Sequence, residues 1–297
     1  MSRQSVVRMS AVNISVHPHP DGVYEQLVRH LHRKRIVRAI HGNRSGLVTQ
    51  VWRSTDKELP GVYGVITTFV DFDKEGPWFD LATAEAASED ELNKVEVPDN
   101  LRPDMKQCHF ILDEKNHVIS FVMDPAKGGM SANLMEKFLE RVFSDPSVLS
   151  KFGRVSVHIV HPERSVDELF NLPKIREVFI RANRPNVGDY DGNPFKHLKE
   201  WMSDQNVNTF EQKITADESD MQPSEETINL ARVADENGFV TVAGRDNFNQ
   251  AIKLSTKDSA PLVEQDNYNP KTTTQMDALY FLARRIAESI TRRRRGN

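Results

Sequence analysis

Short segments in which apolar and polar residues alternate recur along this chain and constrain its fold more than any other feature. The clearest is Val7–Val16, and Cys108–Asp113 and His117–Met123 alternate on either side of Lys115-Asn116. A period of two is typical of a half-buried β-strand, and two such segments around a short turn indicate a β-hairpin. We therefore expect antiparallel sheets with one face on an apolar core.

Segments with helical spacing separate these strands. Asp21 is a candidate N-cap for a helix with the apolar stripe of Val23–Leu31, and Ser131 precedes a second stripe. The last helix begins with the capping-box pattern Thr274–Asp277. The predicted fold class is α+β: two mixed α/β domains, mainly antiparallel sheets with helices packed on one face, and a long C-terminal helix.

The pattern of strands and helices restarts at Arg154, which predicts a domain boundary near Phe152. The N-terminal domain then spans residues 1–152, with a basic segment at 29–53 and an acidic loop at 71–104. We expect a long surface loop with at most a short helix in this acidic region. The C-terminal domain spans residues 153–297 and ends in a basic helix.

The composition is that of a globular protein, with 38% hydrophobic and 28% charged residues. No apolar run approaches the roughly 20 residues that a membrane-spanning helix needs. The first residues do not resemble a secretory signal peptide, so we expect a cytoplasmic protein without membrane insertion. The single cysteine, Cys108, cannot form an internal disulfide, and its alternating apolar neighbours predict an inert core residue.

Charge is distributed unevenly, although the formal net charge is only −4. The stretch between Glu25 and Asp56 contains no acidic residue, and four consecutive arginines lie near the end of the chain. Clusters of Lys and Arg bind phosphates and release counterions, but they also cover solvated helix faces and complement the negative end of a helix dipole. The nucleic-acid-binding residues predicted from this distribution are Arg29, Arg33, Lys34, Arg35, Arg38, Arg44, Arg53, Lys127, Arg284, Arg285, Arg292, Arg293, Arg294 and Arg295.

Lys127 belongs to Lys127-Gly128-Gly129, directly before Ser131 and its helix. Glycines in front of a helix N-terminus can form an anion cradle. The segment lacks the full phosphate-loop pattern, so a simple turn followed by an N-cap is the favoured interpretation.

The best catalytic candidate is Glu211-Gln-Lys213 on a predicted strand, with Asp191 upstream. In metal-dependent nucleases, Asp and Glu hold Mg²⁺ while Lys helps to activate water. Alternation places Glu211 and Lys213 on one strand face, which such a site requires and which any exposed strand also shows.

His17 and His19 do not complete a zinc site, because zinc requires four ligands. We therefore predict no metal or other cofactor and treat a nuclease as the alternative hypothesis.

Two features of the sequence bear on partners. The apolar stripe of the last helix packs either within the fold or against a second subunit, and core packing is the favoured interpretation. The predominantly acidic region Asp71–Asp99 provides a third hypothesis, in which it docks a basic partner or the basic segment of another subunit.

Four stretches carry a family resemblance: Asn13–Pro20, Gly76–Asp80, Asn100–Asp104 and Leu254–Asp258. They resemble a bacterial domain-of-unknown-function family associated with mobile elements and phage defence, and the resemblance spans nearly the whole chain. The order of predicted elements is also similar to that of the phage exclusion protein RexA, which implies a two-domain dimer that binds DNA without sequence preference. The family resemblance assigns no catalytic residue.

Charge, the lack of a specific catalytic motif and these resemblances lead to one main hypothesis. We expect a protein that binds double-stranded DNA without sequence preference. We expect it to be a homodimer that acts in a phage-defence or exclusion system. A second protein of that system is a further candidate partner. It would capture the phosphate backbone electrostatically. If both basic segments contact one DNA, Arg33–Arg38 and Arg292–Arg295 must lie in the same groove.

Overall fold

The computed structural model of this chain describes residues 4–18, 20–73, 76–93, 95, 98–124, 128–162, 164–185 and 193–294. Its strands are β1 (Ser5–Val16), β2 (Arg38–His41), β3 (Arg44–Arg53), β4 (Gly61–Val70), β5 (Phe79–Asp80), β6 (Glu85–Ala86), β7 (Lys106–Asp113), β8 (Val118–Val122), β9 (Val155–Ile159), β10 (Lys174–Asn183), β11 (Thr209–Thr215), β12 (Gly238–Arg245), β13 (Ala251–Ser255) and β14 (Glu264–Tyr268). Its helices are α1 (Val23–Lys34), α2 (Glu89–Leu92), α3 (Ala132–Phe143), α4 (Pro146–Phe152), α5 (Arg164–Phe170), α6 (Asn193–Asp204), α7 (Glu225–Asn237) and α8 (Gln275–Arg294).

Eight strands form the larger sheet, in the order β14-β1-β8-β7-β4-β3-β2, with β9 next to β14 on the same edge of β1. The 12 residues of β1 are enough to pair with β14 through the first half of the strand and with β9 through the second. All pairings are antiparallel, and the predicted hairpin is the pair β7–β8. The α+β class and the long C-terminal helix predicted from the sequence are confirmed.

Both faces of the larger sheet are apolar, and helices cover each of them. On one face, α1, α3 and α4 bury Leu27 and Phe138 beside Phe121 of β8. On the opposite face, α8 buries Leu282 and Ile286 in a second core. Removing apolar area from water stabilises the fold by about 25 cal/mol per Å². The stripe on α8 therefore packs within the chain's own core, as its interpretation from the sequence favoured.

The smaller sheet has the order β11-β10-β12-β13 and is also antiparallel. Its apolar face packs against α5 and α7, where Val178, Ile180 and Val240 of the sheet meet Leu169 and Ala234 of the helices. The side chains of its other face, among them Glu177, Arg181, Glu211 and Lys213, are half-buried or exposed.

The two sheets are interleaved along the chain. The elements β9, β14 and α8 join the larger sheet, although they follow residue 152. A division at residue 152 therefore does not separate the two sheets. The physical reason is that β8 pairs with only one edge of β1, and the N–H and C=O groups on the other edge require partners, which β14 and β9 supply.

Local signals determine the helix starts. Ser131 accepts a hydrogen bond from the Leu134 N–H at the start of α3, and Thr274 and Asp277 exchange the hydrogen bonds of a capping box at the start of α8. Both caps agree with the prediction. The predicted Asp21 cap is wrong, because Gly22, with φ of 76°, occupies the N-cap position of α1 without a side-chain cap. Backbone hydrogen bonds from Val23 to Pro20 and from Gln26 to Gly22 form this turn.

Where the structure describes it, the acidic region after β4 contains one short helix, as expected, and also a small hairpin. Ser88 and Glu91 form a capping box around the four-residue α2, and β5 pairs with β6. None of the described helices has both the length and the apolar composition needed to cross a bilayer.

Candidate nucleic-acid interface and inter-sheet cleft

Three arginines of the first basic segment pair with carboxylates of this chain. Arg29 contacts Glu25 one helical turn away at 2.7 Å, and Arg38 contacts Asp145 at 2.5 Å. Arg44 contacts Asp104, the last residue of the acidic region. These ion pairs neutralise part of the positive charge that the sequence predicts to be available for phosphates. The carboxylates come from distant parts of the chain or from the adjacent helical turn.

The remaining cations of this segment are exposed. Arg33, Lys34 and Arg35 form the end of α1, where Arg35 adopts a left-handed conformation with φ of 50° and caps the helix. Within the part of the chain that the structure describes, these three residues and Arg53 form no ion pair. Three adjacent cations at a helix C-terminus complement the helix dipole, and their exposed charges can also contact a polyanion.

A second helix adds charge beside the end of α1. His30 is buried between α1 and α4, where its Nε2 lies 3.1 Å from the Ser147 hydroxyl and its ring packs edge-on against Phe152. Burial lowers the pKa of His30, and the positive charges of Lys151, Arg33 and Lys34 lower it further. We call the group of Arg33, Lys34, Arg35 and Lys151 the cationic patch. Sequence reasoning missed Lys151, because it lies on α4, far from α1 in the chain.

The arginines of α8 have several different surroundings. Arg284 pairs with Glu58 at 3.2 Å and Arg285 with Glu264 at 2.6 Å. Arg292 is exposed, whereas one guanidinium nitrogen of Arg293 donates to the His161 carbonyl at 2.8 Å. Arg295 and Lys127 lie outside the described residues.

Arg294 is buried. Its Nε contacts Glu236 at 3.0 Å, and its other nitrogens donate to the Asn116 carbonyl and to the Asn13 side chain. Asn13 in turn donates to the Glu236 carbonyl. Arg294 thus connects the larger sheet to α7 of the smaller sheet, and its guanidinium is not available to a phosphate.

The two basic segments lie on opposite faces of the larger sheet, since α1 covers one face and α8 the other. Within one chain, therefore, they do not line one groove. A single chain does not form the shared groove for a physical reason: both sheet faces are apolar, and each requires its own helical cover. A groove containing both segments would require a second copy of the chain.

The candidate nuclease residues lie on the open face of the smaller sheet. Glu211 contacts Arg181 at 3.2 Å, and Lys213 contacts Glu177 at 2.7 Å, both across the β10–β11 pair. Asp191 is outside the described residues. Opposite charges across neighbouring strands stabilise a sheet, which accounts for Glu211 and Lys213 without catalysis.

The glycine segment before α3 packs closely against the larger sheet. A Cβ on Gly128, whose φ is 82°, would lie 2.4 Å from the Gln107 carbonyl oxygen, and one on Gly129 would lie 2.5 Å from that of Val122. The glycines therefore let this turn approach β7 and β8. This contact supports the interpretation as a turn with an N-cap.

Two further sequence predictions concern His17 and Cys108. His17 Nε2 lies 2.8 Å from the Arg184 carbonyl, while His19 is outside the described residues. The described residues contain no group of three or more His, Cys, Asp or Glu with the geometry of a metal site. Burial raises the pKa of Cys108 to about 12, consistent with the predicted inert core thiol.

A polar cleft of about 500 Å³ lies between the two sheets. One wall is α3, which contributes Glu136 and Glu140. The other wall combines β9 with the smaller sheet and contributes the cations Arg154, Arg181 and Lys257. We call this space the inter-sheet cleft.

Two histidines lie in the inter-sheet cleft. His161 is buried and its Nδ1 lies 2.9 Å from the buried carboxylate of Asp235. His158 Nε2 lies 2.9 Å from the Asn183 side-chain amide. Burial, followed by the positive charges of the surroundings, lowers the pKa of His158 to about 4, so its ring is neutral at neutral pH and accepts the amide hydrogen.

The acidic wall is held by the backbone of β9. Glu136 accepts a hydrogen bond from the Ile159 N–H at 3.1 Å. Burial raises the pKa of Glu136; this hydrogen bond opposes the shift, and the charge of Glu140 adds to it. No sequence motif identifies the cleft, because Glu136, His158, Asp235 and Lys257 are distant in the chain. The only local signal is the pair His158 and His161 around the end of one strand.

The fold and these sites define an α+β protein with two antiparallel sheets, a cationic patch on its helical layer and a polar cleft between the sheets. A family model matches residues 6–284, and the chain belongs to that family, described as a domain of unknown function, DUF4747. This confirms the domain-of-unknown-function membership inferred from the four sequence stretches. None of the curated proteins compared with the chain matches it.

Proposed function

We propose that this protein binds double-stranded DNA without sequence preference, through contacts from the cationic patch to the phosphate backbone. The observation that carries the proposal is the contact of His30 with Ser147 and Phe152. It places the exposed Lys151 of α4 beside the exposed end of α1, so charges from two helices converge at one place. Exposed Lys and Arg that neutralise phosphates release counterions and provide affinity independent of base sequence.

The proposal includes a homodimer. A second copy would provide a second cationic patch, and two-fold symmetry would double the basic surface available to one duplex. The apolar stripe of α8 is not the interface, because the chain's own larger sheet buries it. Arg292, which is exposed at the end of α8, remains a candidate for additional phosphate contacts.

We further propose that the protein acts in the cytoplasm, in a phage-defence or exclusion system, with a second protein of that system as a candidate partner. This part rests on the resemblance of the four sequence stretches and on the order of elements. DNA binding without sequence preference is compatible with such a role, because the target is foreign DNA of any sequence.

The nuclease alternative receives no support from Glu211 and Lys213, since both form cross-strand ion pairs. The acidic docking hypothesis, which concerns Asp71–Asp99, is also weakened at the start of that segment and just beyond its end. Asp71 pairs with Arg102 at 2.8 Å, and Asp104 contacts Arg44 and Lys106, so these carboxylates already have basic partners in the chain.

The test compares two variants with the same change in charge. Replacing Arg33, Lys34 and Lys151 with Gln removes three charges of the patch and keeps much of each side chain. We expect weaker binding to duplex DNA and a log–log salt slope that is less steep by about 2 to 3, because each neutralised phosphate contributes about −0.9. Fluorescence anisotropy of a labelled duplex at several salt concentrations measures both quantities.

The control variant carries Gln at the exposed Lys57, Lys253 and Lys271, which lie outside the patch. It has the same net charge as the patch variant and is expected to retain the affinity and most of the salt slope. Equal losses in the two variants, or wild-type binding that does not respond to salt, would reject the proposal.

A further inference from the structure

The cations and the carboxylates of the inter-sheet cleft lie on different elements, and the charge of Lys257 reaches Glu136, where it opposes the effect of burial on the pKa. Arg154, Arg181 and Lys257 lie on the side of β9 and the smaller sheet, while Glu136 and Glu140 lie one turn apart on α3. Of the cations, Arg181 also pairs with Glu211 outside the cleft. The cations can therefore bind an anion, and the carboxylates can accept hydrogen bonds from donors in the same space.

Several of these side chains are held in place without a ligand. The Lys257 ammonium lies 3.7 Å from the centre of the Phe239 ring. Glu136 accepts the Ile159 N–H, and Asn183 donates to His158. Groups that are already oriented lose less conformational entropy on binding, which favours a specific ligand.

We propose that the inter-sheet cleft binds a sugar phosphate. Phosphoryl oxygens accept charge-assisted hydrogen bonds from Arg and Lys, so the phosphoryl group would lie at the wall of Arg154 and Lys257. Carboxylates accept hydrogen bonds from sugar hydroxyls, as acidic residues do towards ribose in dinucleotide-binding folds, so the sugar lies towards Glu136 and Glu140. A volume of about 500 Å³ is within the range of small-molecule pockets.

This ligand chemistry uses both walls at once. Inorganic phosphate supplies the anion for the cationic wall but lacks the sugar hydroxyls that would donate to the carboxylates. A neutral sugar satisfies the carboxylates but supplies no anion for Arg154 and Lys257. The neutral imidazole of His158 on β9 adds a hydrogen-bonding group to the lining without changing the charge balance.

The same chemistry has two sources, a free sugar phosphate and the terminal phosphorylated nucleotide of a nucleic-acid strand. Arg154 lies three residues after Lys151 of the cationic patch, so the two sites adjoin along the chain. The cleft proposal is nevertheless independent of DNA binding by the patch, since its residues are different.

The experiment is calorimetric titration of the full chain with ribose 5-phosphate, AMP, inorganic phosphate and ribose. We expect ribose 5-phosphate and AMP to bind more tightly than phosphate or ribose. Replacing Lys257 with Ala should weaken binding of ribose 5-phosphate about tenfold, because it removes one charge-assisted hydrogen bond. Replacing Glu140 with Ala should weaken ribose 5-phosphate and leave inorganic phosphate unchanged or tighter.

The matched control is Lys253→Ala, which removes an exposed lysine of the smaller sheet outside the cleft and should not change binding. A 5′-phosphorylated and a 5′-hydroxyl oligonucleotide distinguish the sources: preferential binding of the first, abolished by Lys257→Ala, assigns the cleft to a strand end. If ribose 5-phosphate, AMP and the 5′-phosphorylated oligonucleotide all fail to bind, or if Lys257→Ala binds them as the wild type does, the proposal is overturned.

Discussion

Arg294 and Glu236 form an ion pair that is almost completely buried, with side chains 6% and 9% exposed. Desolvation of two charges is costly, and their attraction offsets this cost only when the other donors are satisfied. The Asn116 carbonyl and the Asn13 side chain accept further hydrogen bonds from Arg294. This arginine therefore connects α8 to β1, the β7–β8 hairpin and α7.

At this scale we predict that Arg294→Met lowers the free energy of unfolding by about 3–5 kcal/mol, because it leaves the Glu236 carboxylate buried without its counter-charge. Urea denaturation followed by circular dichroism measures the change. The control Arg292→Met alters an exposed neighbour and should remain within about 0.5 kcal/mol of the wild type. Adding Glu236→Gln to Arg294→Met should recover part of the loss. Equal stability of the two single variants would contradict a structural role for Arg294.

The turn before α3 shows how one element depends on the sheet beneath it. Gly128 combines a left-handed φ of 82° with a position directly against the Gln107 backbone. Gly42, in the β2–β3 turn, also has a positive φ, of 54°, but no atom lies within 4 Å of a Cβ added there. Both positions require a left-handed backbone conformation, but only Gly128 also lacks space for a Cβ. Comparing the two therefore distinguishes backbone strain from steric conflict.

We predict that Gly42→Ala costs about 1 kcal/mol, from backbone strain alone. Gly128→Ala should cost about 2–4 kcal/mol, because the steric conflict with β7 adds about 1–3 kcal/mol. The same denaturation measurement compares them, and the difference between the variants is the decisive quantity. If Gly128→Ala is as well tolerated as Gly42→Ala, the close packing of this turn on β7 is not required for stability.

For the whole molecule, the junction of the two sheets combines ionisable groups from distant parts of the chain. His158 has a pKa of about 4 because of burial, followed by the charges of His161, Arg181 and Lys257. In the unfolded chain its pKa returns to about 6.5. Between these values the unfolded state binds more protons than the folded state, so protonation favours unfolding.

We therefore predict that stability falls as the pH decreases from about 6.5 to about 4, with a contribution from His158 of up to about 3 kcal/mol. His158→Gln cannot take up this proton, so its stability should fall less over the same range. Urea midpoints of both proteins at pH 7, 5.5 and 4.5 measure the difference. His30, whose pKa is also lowered, is unchanged in both proteins and serves as the common background. Parallel pH profiles would refute the assignment to His158.

The elements that follow from local pattern were predictable. The hairpin β7–β8, the starts of α3 and α8 and the strand β1 each depend on residues within a few positions of one another. β14 was not predicted: its sequence, Glu264–Tyr268, is polar and lacks alternation. It forms a strand because β1 offers an unpaired edge, which is a property of the sheet and not of the segment.

The same distinction applies to the sites. Composition and short-range periodicity were enough to predict the class of fold, the strongly basic end of α1 and the apolar stripe that buries α8. Folding in three dimensions, in contrast, selects which cations remain exposed and which pair with Asp145, Asp104 or Glu236. It also created the inter-sheet cleft. The physical reason is that electrostatic partners are chosen by distance in space, and the folding of two interleaved sheets brings together residues that the chain keeps far apart.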